Sequence, residues 1–439
     1  MTINLLPRQI VEALDNFIVG QKKAKKAVAV AIRNRWRRLR VTGRMQDEIT
    51  PNNILLIGPT GVGKTEIARR LADLVGAPFI KVEASKFTEV GYVGRDVETM
   101  VRDLLEIAIN MIKSEKTLRV ELQARENAYN RVLDKLIPSS NVENEERRQH
   151  TRERLREKLI KGELDLREIE IEQQVSSKPS FEIFSNQGME EMGVSLGSIF
   201  DNIMPKKTKI TKKTVAQAIA YFTQEESQKL VDMESVIEEA KELTQHSGII
   251  FIDEIDKVVG SSTDHGPDVS RGGVQRDLLP IIEGCSVTTK YGMINTKHIL
   301  FIAAGAFHIN KPSDLLPELQ GRLPIRVEMD SLSEDDFIRI LNEPENALTK
   351  QYKELLLTEG IELEFEEDAI REIAKIAAQV NREVENIGAR RLQTILAKVL
   401  EPILFEIPKD NDRIVITKNC IDKTLSDFVI NKDLSRYIL

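Results

Sequence analysis

The sequence predicts an α/β protein with a parallel-sheet core, a mainly helical block inserted into that core, and a small, mainly helical C-terminal domain. Three observations predict it. The runs Ile54–Ile57, Ile249–Ile252 and His298–Ile302 are short and continuously apolar, as strands covered on both faces are. Segments of helical period accompany them, the clearest being Glu66–Val75, stopped by Gly76 and Pro78. Roughly 190 residues separate the first run from the second, where one strand–helix–strand unit needs only roughly 30, so something is inserted.

From about Asn110 to Leu243 the chain turns charge-rich and short of β-branched runs, which predicts helical arms. Breakers interrupt them at Pro138–Asn141, Ser176–Ser180 and Met204–Lys209. One long helix is expected to start near Thr214, with Gln217 in capping-box spacing, and to return the chain to Ile249. Beyond Asp330, helices are expected at Ser333–Leu341 and Asp368–Val380, with a third opened by Gly388–Leu392 and a strand at Arg413–Thr417. The expected domains are therefore 1–109 with 244–331, then 110–243, then 332–439.

The chain has 439 residues, 41% hydrophobic and 30% charged, too apolar for a disordered protein and long enough for two or three domains. Sixty-three Lys and Arg against 70 Asp and Glu leave a net charge of −7, so nucleic acid would need a local basic patch. Cys285 and Cys420 are the only cysteines, which excludes a four-thiolate zinc site and argues against a disulfide framework. With no apolar stretch near the roughly 20 residues that span a bilayer, a soluble, cytoplasmic protein is expected.

The run Ile54–Ile57 leads straight into Gly58-Pro59-Thr60-Gly61-Val62-Gly63-Lys64-Thr65 and then into a helix. This is the G-x-x-x-x-G-K-[ST] phosphate loop in its required strand-to-helix context. Its glycines let backbone N–H groups close on phosphate oxygens at the positive end of the helix. Lys64 is expected to reach the β- and γ-phosphates, and the Thr65 hydroxyl to bind Mg²⁺. The second run ends in Asp253-Glu254-Ile255-Asp256, and a carboxylate at the mouth of an apolar strand is costly without a compensating cation. Asp253 is therefore assigned to Mg²⁺, through water, and Glu254 to orienting and deprotonating the attacking water. Phosphoryl transfer also wants fixed positive charge at the γ-phosphate, for which Arg322, in Pro317–Pro324, and Arg390, after Gly388, are candidates.

Together these residues resemble AAA+ ATPases and, more narrowly, the HslU (ClpY) family of unfoldase rings that partner the HslV peptidase. The resemblance runs through Phe17–Gln21, Gly58–Glu66, Glu89–Gly94, Ile252–Asp256, Gly266–Ser270, Glu318–Arg322, Asn386–Arg391 and Leu434–Leu439. It implies a P-loop AAA+ core that binds ATP with Mg²⁺, adenine near Ile18 and Val19, and phosphates on Gly61, Val62, Gly63, Lys64 and Thr65. Glu66 and Glu318 would belong to the same nucleotide site. Arg322 would be a finger supplied to the neighbouring subunit of a homohexameric ring, and Arg390 would sense the γ-phosphate. Phe301–Gly305 departs from the wider AAA+ pattern, carrying no Asn or Thr at the usual sensor position, so no sensor is assigned there.

In this family Gly91-Tyr92-Val93-Gly94 would be the pore loop, with Tyr92 and Val93 gripping an unfolded or tagged substrate between glycines that allow movement. The tail Tyr437-Ile438-Leu439 would dock on an HslV-type peptidase, and the insertion would be the intermediate domain. No peptidase constellation is visible, and none of the five histidines has zinc-site spacing. A DNA motor is the rival class, because Arg33–Arg40 packs five arginines around Trp36. A basic helix face more often serves subunit or intramolecular contacts, and both the acidic total and the Tyr-Val loop favour polypeptide. A ClpX-type unfoldase would need the four-cysteine zinc domain that this composition excludes. A stand-alone chaperone remains the other alternative.

Overall fold

The computed structural model describes residues 5–87, 96–137, 145–174, 208–259, 269–406 and 413–430. The chain divides into two compact units, Met1–Met111 with Ile237–Leu439, and Ile112–Val236.

The first unit is built on five parallel strands: β1 (Ile54–Ile57), β2 (Phe79–Glu83), β3 (Ile249–Asp253), β4 (Leu300–Gly305) and β5 (Ile325–Glu328). Their order across the sheet is β2-β3-β4-β1-β5. The expected core strands are present, with one shift: the third begins at Leu300, because a turn bonding the Ile299 N–H to the Thr296 carbonyl holds His298 and Ile299 ahead of it. β2 and β5 were not expected. Both are edge strands that carry charged residues, Lys81 and Glu83 in one and Arg326 and Glu328 in the other, so neither shows the continuous apolarity of a central strand. The helix Lys64–Val75 packs Ile67, Ala68 and Leu71 into a core shared with Ile54, Leu56, Phe251 and Ile302, and ends at Gly76 in the left-handed conformation.

The same unit includes five helices toward the C-terminal end: Glu334–Asn342, Leu348–Leu357, Glu367–Glu383, Arg390–Phe405 and Lys418–Ile430. The first is capped by Ser333, whose hydroxyl accepts from the Asp336 N–H at 3.1 Å. Glu367–Glu383 buries Ala369, Ile370, Ile373, Ala374, Ala377 and Val380, a stripe at helical spacing that joins Leu392, Leu396 and Leu425 in a separate core. The expected strand is Arg413–Ile416, paired in parallel with Glu362–Phe365.

The second unit has its own core, including Ala128, Val132, Leu159, Ile171, Val215 and Phe222. Helices dominate it, but Glu168–Gln174 pairs antiparallel with Thr208–Thr214, which was not expected. Among the described side chains of the first of these strands, Ile169 and Ile171 turn inward between Glu168, Glu170 and Glu172, so the pattern reads as charged rather than as strand. The Thr214–Gln217 capping box forms with both bonds at 3.4 Å. The single long helix expected after it is two helices, Val215–Leu230 and Met233–Ser247, separated at Val231 and Asp232. No helix among the described residues is long and apolar enough to cross a membrane.

The arginine-rich helix Lys22–Arg38 is engaged by the protein itself. Arg33 and Arg40 lie over the Trp36 ring at 3.6 and 3.3 Å. Arg33 also donates to the Leu5 carbonyl, Arg35 to that of His298, and Arg37 to the Asn34 side chain.

Candidate functional site

In an open parallel sheet a ligand crevice forms beyond the carboxyl ends of the strands. Here β1 and β3 flank β4, so the phosphate loop after β1 and the acidic residues after β3 come out side by side. They border a cleft of about 570 Å³ that is also lined by Ile18, Val19 and Arg390. Of the site residues expected from the sequence, Ile18, Val19, Gly61–Glu66, Asp253, Glu254 and Arg390 line this one cleft.

Ile18 and Val19 are buried at its wall, in a loop held from behind by Lys25. The Lys25 side chain is only 1% exposed, and its ammonium donates to the Ile18 carbonyl and to Asp15. Gln21 braces the same loop, bonding the backbone carbonyl and N–H of Asp330 at 2.8 and 3.2 Å. Lys25→Met is expected to remove about 2 kcal/mol of stability, since charge-assisted hydrogen bonds are lost from a buried site. It should weaken ADP binding with it. Denaturant unfolding and nucleotide titration measure both effects.

Lys64 donates to the carbonyls of Gly58 and Pro59, the latter at 2.8 Å. Burial pushes its ammonium below the usual lysine range, with nearby Asp253 and Asp256 opposing the shift. Thr65 Oγ1 lies 3.4 Å from Asp253 Oδ2, and Lys81 Nζ lies 2.8 Å from the same oxygen. Glu254 has φ 58° and ψ 34°, a left-handed conformation that costs a non-glycine residue about 1–3 kcal/mol and tends to mark functional positions. Its Oε2 accepts from the Ser85 hydroxyl at 3.0 Å. Glu66 turns to Arg69 and Arg70 at 2.7 and 2.8 Å. Burial opposes its charge, but those hydrogen bonds outweigh burial and hold its carboxyl below the usual range.

The segment before the helix Arg390–Phe405 lies backbone to backbone on the phosphate loop. Ala389 N–H donates to the Gly61 carbonyl at 3.0 Å. Both contacting glycines have positive φ, +73° at Gly61 and +59° at Gly388. A Cβ at Gly61 would stand 2.0 Å from the Ile387 carbonyl oxygen, and one at Gly388 would stand 2.6 Å from the Gly61 backbone. This contact places Arg390, on the first turn of its helix, at the cleft.

Arg322 and Glu318 are not brought into the cleft of their own chain. They sit on the helix Pro317–Arg322, both exposed, with Arg322 Nε donating to Glu283 at 3.0 Å. Tyr92, Val93, Tyr437, Ile438 and Leu439 lie outside the described residues.

Sequence reasoning missed Lys81, Ser85, Asp256 and Lys25. Lys81 and Ser85 belong to or follow the edge strand β2, which gave no strong pattern. Asp256 was visible in the acidic run. Buried in the structure, its carboxylate accepts from the Phe307 N–H at 3.1 Å and holds the loop after β4.

Residues 54–127 match the model of the ATPase family associated with various cellular activities (AAA), and residues 176–326 match an AAA domain (Cdc48 subfamily). Residues 332–414 match the C-terminal, D2-small domain of ClpB protein. The ATP-dependent protease ATPase subunit HslU of Desulfotalea psychrophila is 53% identical over 457 aligned positions, covering 100% of each chain. That of Persephonella marina is 54% identical over 443, and that of Thermotoga maritima 52% identical over 458, each covering 99% of both chains. An AAA core with a strand–phosphate-loop–helix arrangement, aligned end to end with these relatives, means that the chain belongs to the HslU family of AAA+ ATPases.

Proposed function

We propose that this chain is the Mg²⁺-dependent ATPase subunit of an ATP-dependent protease, unfolding proteins and passing them to an HslV-type peptidase. The observation that carries this reading is the convergence of Lys64, Thr65, Asp253 and Glu254 on one cleft, in a chain that aligns along its whole length with ATPase subunits of that name.

The donor set fits Mg²⁺, which usually takes one or two protein oxygens and completes its shell with water and phosphate. Thr65 Oγ1 and Asp253 Oδ2 are one hydroxyl and one carboxylate oxygen 3.4 Å apart. The ion would neutralise charge on the β- and γ-phosphates. Lys64 exchanges its two backbone carbonyls for phosphate oxygens, a favourable trade for an ammonium whose charge burial penalises. Glu254 takes the proton of the attacking water, while Ser85 holds its carboxylate in place. Arg390 engages the γ-phosphate from the C-terminal helix.

Arg322 faces Glu283 rather than its own cleft, which supports a role as a finger for the neighbouring site of a homohexameric ring, with Glu318 beside it. In this reading residues 1–109 with 244–331 form the ATPase domain, 110–243 the intermediate domain and 332–439 the small domain. Tyr92 and Val93 grip the substrate, Tyr437–Leu439 dock on the peptidase, and the complex works in the cytoplasm.

The test is degradation of a tagged, folded fluorescent protein by the chain with HslV-type peptidase and Mg-ATP, with and without Tyr437–Leu439. ATP-dependent loss of fluorescence that disappears with the tail is expected. Robust ATP hydrolysis without degradation would favour a stand-alone chaperone or a nucleic-acid motor.

A further inference from the structure

The nucleotide site leaves Arg35, Arg38, His246 and His298 unused. They line a small cavity at the other end of the sheet, among the residues that precede β1 and β4, beside the helix Lys22–Arg38 and the end of Met233–Ser247. Arg35 and Arg38 are 8% and 5% exposed. The two imidazoles stack with centroids 5.8 Å apart, and Arg38 Nη2 approaches His246 Nδ1 at 3.5 Å. Arg35 spends a donor on the His298 carbonyl at 3.2 Å. Arg38 Nε and His298 Nδ1 are buried with no hydrogen-bond partner among the described residues. The nearby acidic groups leave these atoms without a close partner: Glu242 engages His246 Nε2 at 3.3 Å, and Asp47 favours the charge on Arg38 without forming an ion pair with it among the described residues.

We propose that this cavity binds one small monovalent anion, held by Arg38 and His298 and neutralised by the two buried guanidinium groups. Buried charge is retained at low cost only when it is paired, and water supplies no charge. Size selects the ligand. The cavity offers about 20 Å³, just above the roughly 10–15 Å³ that admit one water-sized group. A halide or the end of one carboxylate fits that space.

Burial, Arg38, His246 and Lys297 together depress His298 to about 4, against the weaker pull of Asp47. His246 is lowered as well, by burial first, with Glu242 and Asp47 opposing and Arg38 and Arg35 adding to it. A bound anion stabilises each imidazolium and raises both values. Affinity for the anion therefore rises as pH falls from neutrality toward about 4, where free His298 itself becomes protonated.

Bromide is the probe. Crystals of the full chain soaked in sodium bromide should show an anomalous peak within hydrogen-bonding distance of Arg38 Nε and His298 Nδ1, absent from Arg38→Gln crystals. In solution, bromide should quench the single tryptophan, Trp36, saturably, and Arg38→Gln should weaken that binding by roughly 10- to 100-fold. A carboxylate oxygen of a second copy seated on Arg38 in place of bromide supports the same chemistry from a protein source. Water alone in the cavity, or a peak and quenching unchanged by Arg38→Gln, overturns the proposal. The wild-type crystal decides the matter even if the variant does not fold.

Discussion

Glu254→Gln is expected to bind ATP with near-normal affinity and to hydrolyse it roughly 10²- to 10⁴-fold more slowly, the usual cost of losing a general base. The substitution keeps the shape of the side chain and its acceptor for the Ser85 hydroxyl, which lies 3.0 Å from Oε2. What it removes is the ability to take a proton from water. Lys64, Thr65 and Asp253, the groups assigned to phosphate and metal, are untouched. Nucleotide titration alongside steady-state phosphate release separates the two effects. Turnover within threefold of wild type would remove Glu254 from the role of base, whereas joint loss of binding and turnover would make it a structural residue of the cleft.

Gly388→Ala is expected to weaken ATP binding by roughly 10- to 100-fold, through backbone strain and the forced separation of two chain segments. A methyl group at this residue meets three backbone atoms of Thr60 and Gly61 at 2.6 Å, and φ of +59° already disfavours any side chain. Relief requires the segment to lift, breaking the bond from Ala389 N–H to the Gly61 carbonyl and carrying Arg390 away from the cleft. Gly272→Ala is the matched control, since a Cβ there meets nothing within 4 Å. If Gly388→Ala binds ATP as tightly as the control, the contact between the phosphate loop and the C-terminal helix does not govern nucleotide affinity. Circular dichroism on both variants distinguishes this local effect from unfolding.

The parts of the site that were legible in the sequence are those made by neighbours in the chain. Gly58–Thr65 announces itself because phosphate binding by consecutive backbone N–H groups needs glycines at fixed spacing between a strand and a helix. Asp253 and Glu254 stood out because carboxylates end an apolar run. Thr214 was readable as a cap for the same local reason, and that cap is present. The edge strands β2 and β5 and the pair Glu168–Gln174 with Thr208–Thr214 were not readable, because a strand with an exposed face or edge can carry charge without loss. The break at Val231–Asp232 was hidden within a segment of continuous helical composition.

By itself, therefore, the sequence determined the α/β core, the phosphate loop, the acidic strand end and the family, all of which depend on patterns of adjacent residues. Only the tertiary structure decided that Lys81 pairs with Asp253, that Ser85 holds Glu254, and that Gly388 lies on Gly61. It alone separated Arg322 from the cleft of its own chain and gathered Arg35, Arg38, His246 and His298 around one cavity. These are encounters between residues remote in sequence, and sheet order and helix packing create them, so no local pattern records them.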